Sequence, residues 1–206
     1  MTVRLLLVGF GGHARSVADV ALDLGIAELL FVDDNAQPDE HYEGFPVVRD
    51  WPRSLGAGWS MFPASGKSAS RREAIARAAE LGFAVATVVS RRAYVGRAAT
   101  IGAGTFVGHG AHIGPSARVG AGCIVNTHAI IEHECVIGDF THVSVNSVIA
   151  GRSRVGRDCF IGAGSTLIDG RSIGDEVVLG AGSVAIEPIA GHGTYVGVPA
   201  RRTGQR

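Results

Sequence analysis

The chain has 206 residues, with 19 basic and 19 acidic side chains, no formal net charge and only 6% aromatic residues. That balance offers no basic surface for nucleic acid. No apolar run approaches the ~18 residues of a membrane span, and the leucine-rich stretch at 5–8 is shorter than a signal peptide needs and runs into a glycine turn. A cytoplasmic protein is expected.

In chain order, residues 1–90 predict a Rossmann-like α/β domain with a parallel sheet. A strand over 3–8 meets the turn Gly9-Phe10-Gly11-Gly12-His13, which opens a helix reaching about Leu24. A second strand, 29–32, ends in Asp33-Asp34, a third covers 59–62, a helix covers 70–81, and a fourth strand covers 84–89. Residues 35–58, rich in proline and glycine, read as loop or weak structure. Gly9-x-Gly11-x-x-Ala14, with Asp33 beyond it, fits a dinucleotide fingerprint. The domain has room for about one mononucleotide-binding half, so a nucleotide fits better than intact NAD. Gly66-Lys67-Ser68 looks like the end of a P-loop, but the first glycine of that motif would fall on Met61.

From Val95 a strict period of six begins. All fifteen positions at that spacing, through Leu179, are aliphatic. Glycine follows in ten of them, and thirteen carry Ala, Ser, Thr or Cys four residues on. Neither a helix nor an alternating strand yields this period. Three hexapeptides close one triangular coil of 18 residues, so residues 91–206 predict a parallel β-helix of five coils. The aliphatic residues should point inward, small residues should fill the prism, and glycines should allow the corners unusual backbone angles. Cys123, Cys135 and Cys159 fall on the small inward position and read as core. An odd number of cysteines in this setting argues against a disulfide framework. Residues 185–206 leave the register at Ala185 and are expected to cap the open end.

Five histidines lie in the repeats: 109, 112, 128, 133 and 142. His133 stands out. Glu132 and Glu134 flank it, and Glu132 and Asn126 occupy positions where the repeat favours glycine. Such local breaks in a regular pattern tend to mark function. His109, His112 and His128 carry no assigned role.

The stretch 125–144, with the Gly-Gly-His turn at 11–13, the Asp33-Asp34 pair and the closing Gly197-Val198-Pro199-Ala200, resembles bacterial nucleotide-sugar N-acetyltransferases of the UDP-4-amino-sugar and perosamine type. These are hexapeptide-repeat acyltransferases, a family that also holds sialic acid O-acetyltransferases. The resemblance implies a left-handed coil and acetyl-CoA as co-substrate, with no metal. It also implies a homotrimer with donor sites between prisms, and no nucleic-acid or membrane partner. It implies His133 as general base and Glu134 as the acid that supports its basicity. His142 would meet the acetyl or thioester end, and Ala163 and Ala181 would line the donor groove. Gly11, Gly12, His13, Asp33, Asp34 and Gly66 would hold the nucleotide of the acceptor, and Asn126 is a weaker active-site contact. Ala14, in place of a usual glycine, and Lys67, in place of a usual amide, depart from the pattern at the nucleotide end.

The expected chemistry is direct acetyl transfer to the amine of a nucleotide-linked sugar in surface-glycan biosynthesis, through a ternary complex. The alternatives are sialic acid O-acetylation, a non-catalytic nucleotide-sugar-binding protein, and a γ-class carbonic anhydrase-like zinc site. For that last site His128 and His133 have the spacing, but Arg92 holds the third ligand's place.

Overall fold

The computed structural model describes residues 4–54 and 56–204; Val3, expected in the first strand, and the last two residues of the expected cap lie outside these. The N-terminal part is a five-stranded sheet built on β1 (Arg4–Val8), β2 (Glu28–Val32) and β5 (Trp59–Pro63). Strand β1 lies between β2 and β5, parallel to both. It is buried on both faces, which explains its unbroken apolar run. Helix α1 (Gly12–Asp23) presents Ala14, Val17, Ala18 and Ala21 to the sheet at helical spacing. Helix α2 (Ser68–Glu80) presents Arg71, Ala74 and Ala78.

Two expectations for this part are corrected. Residues 35–58 contain strands β3 (His41–Tyr42) and β4 (Phe45–Val48). These form a hairpin whose two turn residues, Glu43 and Gly44, both have positive φ, and β4 then joins β2 in parallel. The shortness of both strands and Pro46 within β4 hid the pair. The expected fourth strand is divided. Val85 makes only a single bridge to Met61, and Val88–Val89 pairs with Phe106–Val107 as the first rung of the coils.

The remainder is a left-handed parallel β-helix. Its first face stacks Val88–Val89, Phe106–Val107, Ile124–Val125, His142–Val143, Phe160–Ile161 and Val177–Leu179. The second runs from Tyr94–Val95 to Val184–Ala185, and the third from Thr100–Ile101 to Ser172–Ile173. Partners lie 18 residues apart, as in Ile113 against Ile131. The aliphatic positions from Val107 to Leu179 form one buried column, and the three cysteines fill its narrow places. Burial pushes the Cys123 thiol up to about 12, which suits packing and not nucleophilic attack.

The corners work differently from the expectation. Positive φ falls three residues after each aliphatic position, from Ala98 to Gly182, and nine of these fifteen residues are not glycine. The glycines directly after the aliphatic residues have ordinary φ. At Gly96, Gly102 and Gly138 an added Cβ would come within about 2.6 Å of the next coil's backbone. They are required for close approach of the chain, not for torsional freedom.

The C-terminal segment adds Gly193–Val196 in parallel to the first face and folds Arg201–Arg202 back against it. Ile189 covers the end of the third face beside Ile173. Among the described residues no helix is long and apolar enough to cross a membrane.

Candidate active site

The first face of the prism carries the α/β domain. Phe106 and Ile124 point outward from it and share a core with α1. Arg71 locks the seam. Its fully buried guanidinium donates to the carbonyls of Ser65 and Gly66 in the turn before α2, and to those of Gly122 and Phe140 in two successive coils. Burial lowers its pKa to about 10, so it remains a cation. His109, unassigned from sequence, belongs to the same seam. Its two ring nitrogens bridge Ser90 and Asp19 of α1, at 2.7 and 3.0 Å.

Two hollows flank the turn at Ser65 and Gly66. One, a cavity of about 290 Å³, opens at the C-terminal ends of β1 and β2 and is lined by Gly9, Asp33, Asp34, Asn35, Trp51 and Ser65, among others. This is where open parallel sheets bind ligands. The two aspartates differ. Asp33 is spent internally, accepting from the Phe10 amide and from Asn35, so it braces the glycine turn. Asp34 is exposed. Gly11 and Gly12 form the start of α1, outside the lining of this cavity, and an added Cβ at either meets nothing. Their smallness therefore serves nothing within the chain and leaves the helix N-terminus open. Gly9 instead has φ +113 and lies against Ala64.

The second hollow, a cleft between the N-terminus of α2 and the first face, is lined by Gly66, Lys67, Arg71, Phe140, His142 and Phe160, among others. His142 stands edge-on to Phe160 and 6.5 Å from His13, and its Nε2 lies 3.4 Å from the Asn126 amide. Burial, with the charge of Arg71, lowers His142 to about 4. Burial, then His142 and Arg71, lowers His13 to about 3. Both rings are neutral in the folded protein. Once unfolded they titrate near 6.5, so the unfolded chain binds more protons below that pH. Stability from these two rings is fully present above pH 6.5 and is lost as pH falls toward about 4 and then about 3. Urea titrations at pH 7.5 and 5 should show this loss, and the double variant His13→Gln, His142→Gln should lessen it.

Ala163 and Ala181 stack on the edge between the first and second faces, where Gly182 donates to the Ala163 carbonyl. Asn126 begins a corner higher on the same edge. His133 and Glu134 lie elsewhere, on the edge between the second and third faces, opposite the face that carries the α/β domain. His133 Nδ1 is 3.5 Å from the Glu134 carboxylate, and both side chains are about half exposed. The ring lies across Gly151 of the next coil, where an added Cβ would come within 2.5 Å of Nε2. Gly151→Ala should therefore displace the ring without unfolding the protein; the His133 ring signals in ¹⁵N NMR beside a thermal melt would check this.

Within one chain, then, the structure brings His142, Asn126, His13 and Gly66 together at the seam, gathers Gly9, Asp33 and Asp34 at the cavity, and holds His133 and Glu134 apart from both. Sequence reasoning missed Arg71 and Gly151. Arg71 had a signal: it occupies the apolar stripe of α2 with Ala74 and Ala78. Gly151 had none, because it lies off the repeat's usual glycine position. Among the described residues no group of three or more His, Cys, Asp or Glu is arranged to hold a metal.

A mononucleotide-type α/β domain seated on a hexapeptide prism, with a histidine cleft at their seam, defines an acyltransferase of the β-helix class. Comparison with known proteins narrows this. Residues 4–78 match the PglD N-terminal domain family, and residues 153–184 the hexapeptide repeat of succinyl-transferase. The chain is similar to the acetyltransferase domain of PglB from Neisseria gonorrhoeae in complex with acetyl coenzyme A, at 31% identity and a TM-score of 0.90, covering 98% of this chain and 100% of that one. It is also similar to a mutant of GDP-perosamine N-acetyl transferase from Caulobacter crescentus in complex with CoA and GDP-perosamine, at 28% identity and a TM-score of 0.89, covering 98% of this chain and 97% of that one. A comparison with curated protein sequences found no match. The chain belongs to the nucleotide-sugar N-acetyltransferases of the hexapeptide-repeat family.

Proposed function

We propose that this protein transfers the acetyl group of acetyl-CoA to the amine of a nucleotide-linked amino sugar, in a homotrimer whose active sites lie between subunits. The observation that carries the reading is the pair of hollows sharing the turn at Ser65 and Gly66. A nucleoside held in the cavity by Asp34 sends its attached sugar across the turn toward His142. The N-termini of α1 and α2 carry no side-chain cap and no acid in the first turn, so their free amides suit the diphosphate between. The PglB domain holds acetyl coenzyme A and the perosamine enzyme holds GDP-perosamine, which supports both substrates here.

His133 accepts the proton as the amine attacks the thioester, and Glu134 orients the ring and stabilises its imidazolium. His133 sits on the far edge of its own prism. It reaches the cleft beside His142 and Asn126 only if that cleft belongs to a neighbouring subunit. Thiolate catalysis is disfavoured by the burial of all three cysteines, so transfer is direct. Both substrates belong to the cytoplasm, and the product would feed a surface glycan.

The test is a screen with acetyl-CoA against UDP-, GDP- and dTDP-linked amino sugars, with free and CMP-linked sialic acid as controls. The reading predicts N-acetylation of at least one nucleotide-linked amine. Acetylation of sialic acid alone, or of none, would overturn it.

A further inference from the structure

We propose that Asn126 is a positioning residue that fixes the proton of His142 on Nδ1, making that ring a hydrogen-bond donor and reserving the role of base for His133. The inference rests on the reading above, in which the acetyl thioester reaches the cleft beside His142.

Four atoms set the tautomer. The Thr127 amide donates to Asn126 Oδ1 at 2.8 Å, which fixes the orientation of the side-chain amide. Asn126 Nδ2 therefore faces His142 Nε2, at 3.4 Å. An amide NH₂ only donates, so the ring nitrogen it meets must carry the lone pair. A neutral imidazole has one proton, and His142 is held neutral by burial and by the Arg71 cation. The proton is thus on Nδ1. That atom is shut off from solvent and has no hydrogen-bond partner among the described residues. With Nδ1 protonated and the Nε2 lone pair engaged by Asn126, the ring has no lone pair left to take a proton from the incoming amine.

His133 has the opposite neighbour. Its Nδ1 faces the Glu134 carboxylate, which only accepts. That places the proton of His133 on Nδ1 and leaves Nε2 free to take another. Two histidines nine positions apart thus receive different duties, because the first faces an acceptor and the second a donor.

The test is ¹⁵N NMR of the histidine rings in the intact enzyme, with His142 assigned by loss of its signals in His142→Gln. The expected wild-type result is a protonated Nδ1 and a lone-pair Nε2. In Asn126→Asp the carboxylate should draw the proton to Nε2 and invert the pattern. Its kcat should fall by about tenfold or more, with the acceptor KM within about twofold of wild type. A wild-type His142 protonated on Nε2 overturns the proposal without any variant, as does an Asn126→Asp that keeps the wild-type pattern or full kcat. If no nucleotide sugar is a substrate, the functional reading fails while the tautomer result stands by itself.

Discussion

His133→Ala is expected to lower kcat for acetyl transfer by ~10²–10⁴-fold, with the KM of both substrates changing by less than about threefold. The amine of the acceptor must lose a proton as the new bond forms. Within the site as proposed, His133 is the ring with a carboxylate at one nitrogen and a free lone pair at the other. His142 is neutral but already engaged by Asn126. The remaining histidines have other settings. His109 is held between Ser90 and Asp19, and His112 stacks on Tyr94. Steady-state rates across pH 6–9 would check the expectation, and a kcat within twofold of wild type would remove His133 as the base.

Arg71→Met is expected to cost about 2–4 kcal/mol of stability, or roughly 5–15 °C in Tm for a chain of this size. The side chain is fully buried and its guanidinium hydrogen-bonds only to backbone carbonyls, two in the turn before α2 and two in successive coils. Methionine fills similar volume but leaves those four oxygens without their donor. Relief of a buried charge offsets part of that cost. The same change should raise the acceptor KM, because the turn at Ser65 and Gly66 separates the two hollows. Lysine should not rescue it, since one ammonium cannot reproduce the planar fork that spans two coils and a loop. A melt and acceptor kinetics on both variants would test this; an unchanged Tm in Arg71→Met would mean the seam is held elsewhere.

The coils were legible because their physics is one-dimensional. A six-residue period in aliphatic side chains reports each inward position directly, and the column from Val107 to Leu179 is buried as the period requires. The corners were misread because a glycine can be needed for space or for φ, and sequence does not tell which. Gly96 and Gly138 leave room for the next coil, while the left-handed torsions fall on residues such as Glu134 and Phe140. In the α/β part, β1 and α1 followed from patterning, whereas the β3–β4 hairpin was too short to show. The Glu-His-Glu break pointed to His133 because it interrupts a regular repeat. What sequence could not give was placement in space. Asp33 and Asp34 look equivalent in the chain, yet one braces the glycine turn and the other faces outward. Likewise, His133 and His142 are only nine positions apart in the chain, but a whole face of the prism lies between them.

That separation is tested most directly by mixing two inactive proteins. His133→Ala and His142→Gln subunits, co-expressed with separate tags and isolated as mixed oligomers, should recover activity if each site draws His133 from one chain and His142 from its neighbour. In a cyclic trimer of mixed composition one of the three sites would hold both wild-type rings, so about a third of wild-type kcat is predicted. Activity no higher than that of either parent variant would mean that both rings serve the same site from the same chain, contradicting the composite site.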